Sequence, residues 1–362
     1  MAKIVFFVNS LQNQRCIKRI NEFIISGAEV EVYAYTRQTE NYTNINFPVE
    51  VLGVIEDQGS YINRFPLLYN SIKRAIKKRE KTGTDIYYLF GLDTAMVFRL
   101  LNRSSRYVYE ESDLVHTYVN NKIIRQILEK IDRRIIKKSY KTVFTSEGFA
   151  EYHFGDKCPA VAEIIPNRLN PSILKLDLIL PDRTDQKRIR VGFVGKPRFK
   201  SVVNFAKILC SYSDKFEFHI YGGPILEEVE GFKLLEQYSN YFYHGPFKNP
   251  DDLPVIYSSI DVVLSTYDIE FENVRYAEPN KIYESIFFNT PIIVSSGTFL
   301  AKKVDRLGIG FSLDPLDDKE VVFFLGALSR QELLEKENNC RKIAQEDVID
   351  CNQNFIKTLI EA

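Results

Sequence analysis

Three cations follow an apolar, strand-like run in the second half of the chain. The run Val191–Val194 leads into Gly195, and Lys196, Arg198 and Lys200 come directly after it. A glycine in such a turn lets the backbone pass close to a ligand, and the cations are suited to neutralise a diphosphate. A solvated basic turn is the alternative interpretation of the same residues.

A second candidate for ligand chemistry is the segment Glu278–Ser295. Pro279 suits the first turn of a helix, because a residue there needs no amide hydrogen. The helix would end at Asn289, and Ile292–Val294 is an apolar run typical of a covered parallel strand. Just inside this helix Glu284 is placed to bind the hydroxyls of a ribose, while helix amides meet phosphate. The alternative is an ordinary amphipathic helix with one solvated glutamate.

Short apolar runs and helical patterns alternate in both halves of the chain, which predicts parallel sheets covered on both faces. Such sheets bind ligands outside the carboxyl ends of their strands. The predicted strands are Lys3–Val8, Glu29–Tyr35, Asp85–Phe90, Arg106–Glu110, Thr142–Thr145, Arg188–Gly195, Glu217–Tyr221, Asp261–Ser265 and Pro291–Ser295. The best linker candidate is Asn170–Gln186, with two prolines and a polar end. A final helix is predicted over roughly Leu333–Ile360.

Length and composition describe a globular protein with two domains. At 362 residues and 45% hydrophobic content, each half can bury its own core. Residues 1–170 hold 25 Lys and Arg against 19 Asp and Glu, a net +6, and the remainder carries −6. Five scattered cysteines without a CxxC pair indicate reduced thiols in the cytoplasm. No signal peptide or membrane-spanning run is predicted.

Several function classes lack their motifs. The loop after the first strand, Asn9–Gln14, has no G-x-G-x-x-G for a dinucleotide, and no phosphate-binding G-x-x-x-x-G-K-[ST] occurs. No domain-wide basic face or familiar motif indicates nucleic-acid binding. Neither an Asp-x-Asp motif nor a His/Cys cluster at ligand spacing is present, so no metal site and no cofactor are predicted.

The run Pro279-Asn280-Lys281-x-x-Glu284, followed by Pro291 and an apolar strand, resembles the donor-binding segment of GT-B glycosyltransferases. The resemblance is particularly to family 4-like (glycosyl transferases group 1) enzymes of bacterial surface polysaccharide synthesis. It implies an α/β protein with two Rossmann-like domains facing across a cleft. The implied boundaries are an acceptor-side domain over 1–170, a linker over 171–187 and a nucleotide-sugar-binding domain over 188–345. A C-terminal helix over 346–362 would cross back to the first domain.

The resemblance extends to the residues that would bind the donor. Asn280, Lys281 and Glu284 match the ribose- and phosphate-binding run, and Gly195 with Lys200 matches a phosphate loop. The other implied donor-binding residues are Arg15, Gly222, Gly223, Pro246 and Phe247. Lys196 and Arg198 would stabilise the leaving diphosphate, and which cation dominates stays open.

On the acceptor side, the resemblance places Glu110, Glu111 and Asp113 at the end of a strand as catalytic candidates. The chain departs from the family pattern at two places. Ser112 stands where relatives often carry a histidine, and Tyr276 stands eight residues before Glu284, where a paired glutamate is usual. His116 is interpreted as a surface histidine.

The implied function is a retaining, metal-independent hexosyltransferase-like enzyme (EC 2.4). It would move a sugar from a nucleotide diphosphate sugar to a hydroxyl of a glycan or lipid-linked glycan. Two alternatives stay open: a GT-B-fold nucleotide-sugar 2-epimerase, and a non-catalytic nucleotide- or glycan-binding relative. The sequence does not distinguish the sugar, the base or the acceptor.

Two basic helical segments in the first half indicate peripheral contact with an anionic membrane. One runs from Lys73 to Lys81, and the other carries Lys130, Arg133, Arg134, Lys137 and Lys138. Cations near an anionic leaflet contribute ~1 kcal/mol each. The expected location is the cytoplasm, at the inner face of the membrane. The alternative is that both are surface helices whose apolar sides pack on the sheet.

Overall fold

A computed structural model describes residues 3–37, 45–55, 61–78, 85–179, 187–223 and 230–361. The chain forms two compact units. Unit 1 consists of Met1–Asn167 together with Cys351–Ala362, and unit 2 consists of Arg168–Asp350. No helix in the described ranges is both long enough and apolar enough to cross a lipid bilayer.

Unit 1 is built around one parallel sheet. Its elements in chain order are β1 (Lys3–Val8), α1 (Gln14–Ile25), β2 (Glu29–Arg37), β3 (Glu50–Ile55), α2 (Tyr61–Lys78), β4 (Ile86–Phe90), α3 (Leu92–Leu101), β5 (Arg106–Glu111), a 3-10 helix (Val115–Tyr118), α4 (Lys122–Lys138), β6 (Lys141–Phe144), α5 (Glu147–Phe154), β7 (Ala162–Ile164) and, near the C-terminus, α13 (Gln353–Ile360).

The strand order in unit 1 is β3-β2-β1-β4-β5-β6-β7, and all described pairings are parallel. The central strands are buried almost throughout because helices cover both faces, which explains their continuous apolar sequences. In register, Phe6 lies between Val32 and Tyr88. Phe6, Phe23 and Tyr88 contact one another in the core, with ring centroids 5.1–5.7 Å apart.

Unit 2 repeats this plan. It contains a 3-10 helix (Pro171–Lys175), β8 (Ile189–Val194), α6 (Lys200–Cys210), β9 (Phe216–Tyr221), a 3-10 helix (Glu230–Gln237), β10 (Tyr241–Gly245), α7 (Leu253–Ser258), β11 (Val262–Ser265), α8 (Glu272–Tyr276), α9 (Lys281–Phe287), β12 (Ile292–Ser295), α10 (Phe299–Leu307), β13 (Gly310–Leu313), α11 (Asp318–Ala327), α12 (Arg330–Arg341) and a 3-10 helix (Gln345–Asp347).

The unit 2 sheet has the order β10-β9-β8-β11-β12-β13 and is parallel. This is the doubly wound order, in which the chain works outward in one direction from its first strand and then in the other. The order reverses between β8 and β11 in unit 2, and between β1 and β4 in unit 1. Ligands of such sheets bind at this switch point, beyond the carboxyl ends of the strands. The predicted α/β fold with two Rossmann-like sheets is confirmed.

Several predicted boundaries differ from the structure. The unit boundary after the first domain lies at 167 rather than 170, and the chain re-enters unit 1 at 351 rather than 346. Of the predicted linker 171–187, residues 180–186 lie outside the described residues, and Ile173 before them is buried in the core of unit 2. The single helix predicted over 333–360 is two helices, α12 and α13, separated by a 3-10 helix.

Candidate functional site

The switch point of unit 2 is lined by glycine turns at the ends of neighbouring strands. Gly195 and Gly222 adopt φ values of +134° and +137°. A Cβ atom on Gly222 would lie 1.9 Å from the Gly195 carbonyl oxygen, so only glycine fits there. The amide of Gly195 donates to the Tyr221 carbonyl, and that of Gly222 donates to the Gly245 carbonyl, each at 2.7 Å. The ends of β8, β9 and β10 therefore form one backbone shelf.

Lys281 lies above this shelf. Its Nζ is 4.5 Å from the centroid of the Phe193 ring and 5.6 Å from that of Tyr267. A Cβ atom on Gly195 would approach the same Nζ to 3.3 Å. Phe193 belongs to β8 and Tyr267 follows β11, so the ammonium group sits at the strand reversal, held between two aromatic faces. This position suits a cation that binds an anionic ligand.

The other predicted cations surround the turn. Lys196, Arg198 and Lys200 are all exposed, while Phe199 is buried between them. The Arg198 guanidinium lies 5.0 Å from the centroid of the Phe199 ring. The buried ring anchors the loop and leaves its charges in solvent, where they are accessible to a ligand.

The first amides of α6 have an internal partner. The Asp268 carboxylate accepts hydrogen bonds from the backbone amides of Lys200, at 3.1 Å, and Ser201, at 2.8 Å. An acidic cap therefore occupies these two amides. Sequence reasoning missed Asp268, although an acid shortly after β11 is a usable signal.

Glu284 lies within α9 and is 5% exposed. It accepts a hydrogen bond of 2.7 Å from the Tyr257 hydroxyl, and Tyr257 stacks on Phe288. Burial raises the pKa of Glu284, against the opposing effects of the Tyr257 hydrogen bond and the Lys281 charge. The helix begins at Lys281, two residues after Pro279, and leaves Asn280 exposed at its start.

Glu278 has a different environment. Its carboxylate pairs with Lys303 at 2.6 Å and accepts a hydrogen bond from the Tyr283 hydroxyl. Glu278 is therefore engaged in a local ion pair, whereas the partner of Glu284 is a neutral phenol.

Three more of the predicted donor-binding residues follow the ends of β9 and β10. Gly223 and Phe247 are half-buried, and Pro246 is exposed. Sequence reasoning missed an aromatic stack beside them, in which the rings of Tyr221 and His244 lie parallel with centroids 4.2 Å apart. Burial lowers the pKa of His244, which favours a neutral ring at pH 7.

In unit 1, Glu110 is fully buried. Its carboxylate pairs with Arg15 and Arg19, each at 3.3 Å, and accepts a hydrogen bond from the Tyr88 hydroxyl. Since a catalytic group must reach its substrate, this burial argues against direct catalysis by Glu110. Arg15 is drawn to Glu110, and its predicted contact with the donor stays a prediction.

Glu111 is also fully buried, and its two carboxylate oxygens lie 3.0 and 3.1 Å from His153 Nε2. Burial raises the pKa of Glu111, and the neighbouring Asp132 and Asp113 raise it further. His116, predicted to be a surface histidine, is fully buried, which corrects that interpretation. Of the three acids proposed on the acceptor side, only Asp113 is exposed.

An apolar pocket of about 620 Å³ opens in unit 1 beside α2, α3 and α4. Asp93 is its acidic lining residue, and burial raises the pKa of Asp93. The apolar lining includes Phe65, Leu68, Met96, Val97, Val119 and Ile124. Nothing in the sequence pattern of these helices indicated a shared pocket.

No family model matches the chain, and no curated protein matches it. Sucrose-phosphate synthase from Thermosynechococcus elongatus matches with a TM-score of 0.68 at 14% identity, over 99% of this chain and 95% of the synthase. The Anabaena protein HepE in complex with UDP and glucose matches with a TM-score of 0.67 at 14% identity, over 100% of this chain and 98% of HepE. The lipopolysaccharide outer core galactosyltransferase WaaB matches with a TM-score of 0.60 at 13% identity, over 99% of this chain and 94% of WaaB. The chain has the GT-B fold.

The resemblance to GT-B proteins, stated from Glu278–Ser295, is thereby confirmed at the level of the fold. At identities this low the likeness extends no further than the fold, and the roles of individual residues stay predictions. Within the GT-B fold, Lys281, Gly195 and Gly222 meet at the unit 2 switch point.

Proposed function

We propose that this protein is a glycosyltransferase that uses a nucleotide diphosphate sugar. The observation that carries the proposal is the Lys281 ammonium above the Gly195 turn at the unit 2 switch point. A diphosphate placed on the backbone shelf at Gly195 and Gly222 would be close to Lys281 and to the exposed cations of the loop 196–200. Solved structures of HepE with UDP, and with UDP-glucose, support a donor of this class.

The proposed reaction breaks the bond between the anomeric carbon and the diphosphate oxygen. A new bond forms to an acceptor hydroxyl oxygen, whose proton is released, and the negative charge stays on the departing diphosphate. Lys281, Lys196, Arg198 and Lys200 would stabilise that charge as it develops. Glu284 would orient the donor through its ribose, and positioning would supply the rest of the rate enhancement.

We further propose that the reaction retains the anomeric configuration, as the resemblance to family 4-like enzymes implies. We also propose that turnover needs no exchangeable metal ion, because cations already surround the proposed diphosphate position. Turnover should therefore continue in EDTA. Turnover that EDTA abolishes and Mg²⁺ or Mn²⁺ restores would contradict the second part. The anomeric configuration of the product, read by NMR, tests the first.

The donor experiment begins with a thermal-shift screen of UDP, GDP, CMP and their sugars. The best nucleotide is then titrated by calorimetry into wild type, Lys281→Met and Lys207→Met. Lys207 is an exposed lysine on α6 with no assigned role, so its variant is the matched control. We expect Lys281→Met to bind about 10- to 100-fold more weakly, since a hydrogen bond to a charged group contributes ~1.5–3 kcal/mol, and Lys207→Met to bind like wild type. Equal affinities in all three proteins would overturn the assignment.

Product analysis separates the alternatives. Incubation with the best nucleotide sugar and a mixture of glycan acceptors should release nucleoside diphosphate and give a longer glycan. A 2-epimerised sugar nucleotide would identify an epimerase. Tight nucleotide binding with no turnover would identify a binding protein.

For the acceptor we propose a lipid-linked glycan at the cytoplasmic face of an anionic membrane. The two basic helices differ in how much of their apolar side is exposed. On α2, Lys73, Arg74, Lys77 and Lys78 are exposed while Leu68 and Ile72 are buried, so its apolar side packs inward. Residues 79–81 of that segment lie outside the described residues.

The helix α4 exposes apolar side chains as well as charges. Ile123 is 69% and Ile127 52% exposed on the same helix as the exposed Lys130, Arg134 and Lys137. Ile124, at 43% exposure, also lines the apolar pocket, which suits the hydrocarbon part of a lipid. A helix with this mixture can lie at a headgroup surface.

Vesicle co-sedimentation tests the membrane proposal. Wild type should bind anionic vesicles at low salt, and Ile123→Ser/Ile127→Ser should bind them several-fold more weakly. Because donor binding is proposed for unit 2, the double variant should keep its nucleotide affinity. Absence of wild-type binding at low salt would favour a soluble glycan as the acceptor.

A further inference from the structure

Unit 1 contains a buried cluster of metal-ligating side chains that the proposed reaction does not use. Glu111 ends β5, Asp132 lies in α4 and His153 lies in α5. One potential ligand atom from each residue lies within 4.8 Å of the other two. All three residues are buried, and the side chains of Glu111 and His153 are completely so.

The cluster places two carboxylates together away from water. Among the described residues, neither oxygen of Asp132 has a hydrogen-bond partner of normal geometry. The neighbouring His116 is oriented toward it, with Nδ1 3.4 Å from Asp132 Oδ2. The Tyr109 hydroxyl also faces Asp132. A buried carboxylate with only such neighbours is unfavourable unless a proton or a cation compensates its charge.

We propose that Glu111, Asp132 and His153 bind a divalent first-row transition ion of the Zn²⁺ or Mn²⁺ class, with His116 beside Asp132 as an outer partner of that ligand. Carboxylate oxygen and imidazole nitrogen are the donors these ions take in proteins. The ion would neutralise the two carboxylates and connect β5, α4 and α5. Its role is structural, since it enters while unit 1 folds, and it is independent of the proposed transferase activity.

His116 also carries an outer interaction that suits this site. Its Nε2 lies 3.2 Å from the Tyr152 hydroxyl, so the ring is held by its second nitrogen. Carboxylates that bind a metal are commonly oriented by outer partners that are themselves fixed in this way. Tyr152 and His153 are adjacent in α5, which couples the orientation of His116 to the helix that supplies a ligand.

The first experiment measures bound metal. Protein expressed in medium with Zn²⁺ and Mn²⁺ should contain close to one equivalent of one of them by elemental analysis. Unfolding in urea with a chelator, followed by refolding with and without Zn²⁺ or Mn²⁺, should give a higher Tm with the preferred ion. At 100-fold excess over Kd the rise should be roughly 5–10 °C. Mg²⁺ and Ca²⁺ should have little effect, because they prefer oxygen ligands.

Variants locate the ion. Asp132→Asn and His153→Gln should bind Zn²⁺ at least about 10-fold more weakly. Loss of an outer partner of a metal ligand already lowers metal affinity by about that factor, and these variants change the ligands themselves. Glu129→Gln is the matched control, because it removes a partly exposed carboxylate from the same helix as Asp132. If a variant does not fold, Co²⁺ absorption of the refolded wild type reports imidazole and carboxylate ligation directly.

Two results would overturn the proposal. One is wild-type protein without stoichiometric metal whose refolding and Tm do not respond to Zn²⁺ or Mn²⁺. The other is an Asp132→Asn variant that retains full metal content. A metal-free wild type combined with a more stable Asp132→Asn would show that the carboxylates share a proton.

Discussion

Units 1 and 2 share a strand order but use the carboxyl ends of their strands differently. In unit 2 cations lie on or above the glycine turns at the switch point, and Lys196, Arg198 and Lys200 are exposed, whereas the acid Asp268 is buried as a helix cap. In unit 1 the acids at the end of β5 are buried and paired within the unit, as Glu110 is with Arg15 and Arg19.

The contrast shows that one scaffold supports two uses of charge. Where the turn is glycine-rich and its cations are exposed, charge is available for a ligand. Where charge is enclosed and matched by partners, it fixes helices to the sheet. Substitutions in unit 1 should therefore change stability first, and substitutions in unit 2 should change nucleotide affinity first.

The largest effect is expected at Glu110. Glu110→Gln removes the fully buried counter-charge of Arg19, which is 1% exposed and keeps its pair with the partly exposed Glu22 at 2.9 Å. Breaking a buried pair from one side costs about 3–5 kcal/mol in the free energy of unfolding. Urea denaturation measures this loss. Glu50→Gln is the control, because its pair with Lys78 is exposed and should contribute under ~1 kcal/mol. Equal losses in the two variants would remove the contrast between enclosed and exposed charge.

The next effect is expected at Glu284. Glu284→Gln should weaken binding of the best nucleotide by about 1.5–3 kcal/mol, the contribution of a charge-assisted hydrogen bond. Glu278→Gln should weaken it less, because Glu278 is occupied by Lys303 and Tyr283. Calorimetry on both variants gives the two affinities. The ribose assignment fails if Glu284→Gln binds as tightly as wild type.

A smaller effect is expected for each loop cation alone. Lys196→Met, Arg198→Met and Lys200→Met should each reduce nucleotide affinity by about 1 kcal/mol or less, because exposed charges are screened by water and salt. Affinity measured at low and high ionic strength should converge for wild type and variants as salt rises. A salt-independent loss in one variant would identify a direct, desolvated phosphate contact at that position.

The smallest effect concerns the pH dependence of unit 2. Burial raises the folded-state pKa of Glu284 above its ordinary value of 4.5. The folded state therefore binds this proton more tightly than the unfolded state, and the associated stability is lost as pH rises through the folded pKa. Glu284→Gln does not titrate, so its stability relative to wild type should increase from pH 4 upward. Parallel urea midpoints for the two proteins across pH 4–8 would contradict this.

Much of the fold was predictable because its signals are local. The buried strands β1, β4, β8 and β12 are apolar runs, and sequence analysis placed each within two residues of its observed bounds. Four strands were missed: β3, β7, β10 and β13. Glu50–Ile55 and Tyr241–Gly245 are largely exposed, and Ala162–Ile164 and Gly310–Leu313 have only three and four residues. Strands this exposed or this short leave little local pattern in the sequence.

The candidate site was predictable only in part. Gly195, Gly222 and Lys281 belong to local motifs, and the structure brings them together. Asp268 caps a helix that begins 68 residues earlier, and Glu111 meets Asp132 and His153 across three separate elements. These contacts depend on the order of strands in the sheet, which no short window of sequence contains.

The return of α13 to unit 1 has a consequence for biosynthesis. Ile356 and Leu359 complete a core whose other members lie before residue 168, whereas unit 2 is continuous from 168 to 350. Translation therefore delivers every residue of unit 2 before the last core residues of unit 1 leave the ribosome. Unit 1 is therefore synthesised first but completed last. Until α13 is available, the nascent sheet of unit 1 exposes an apolar gap that chaperones can recognise.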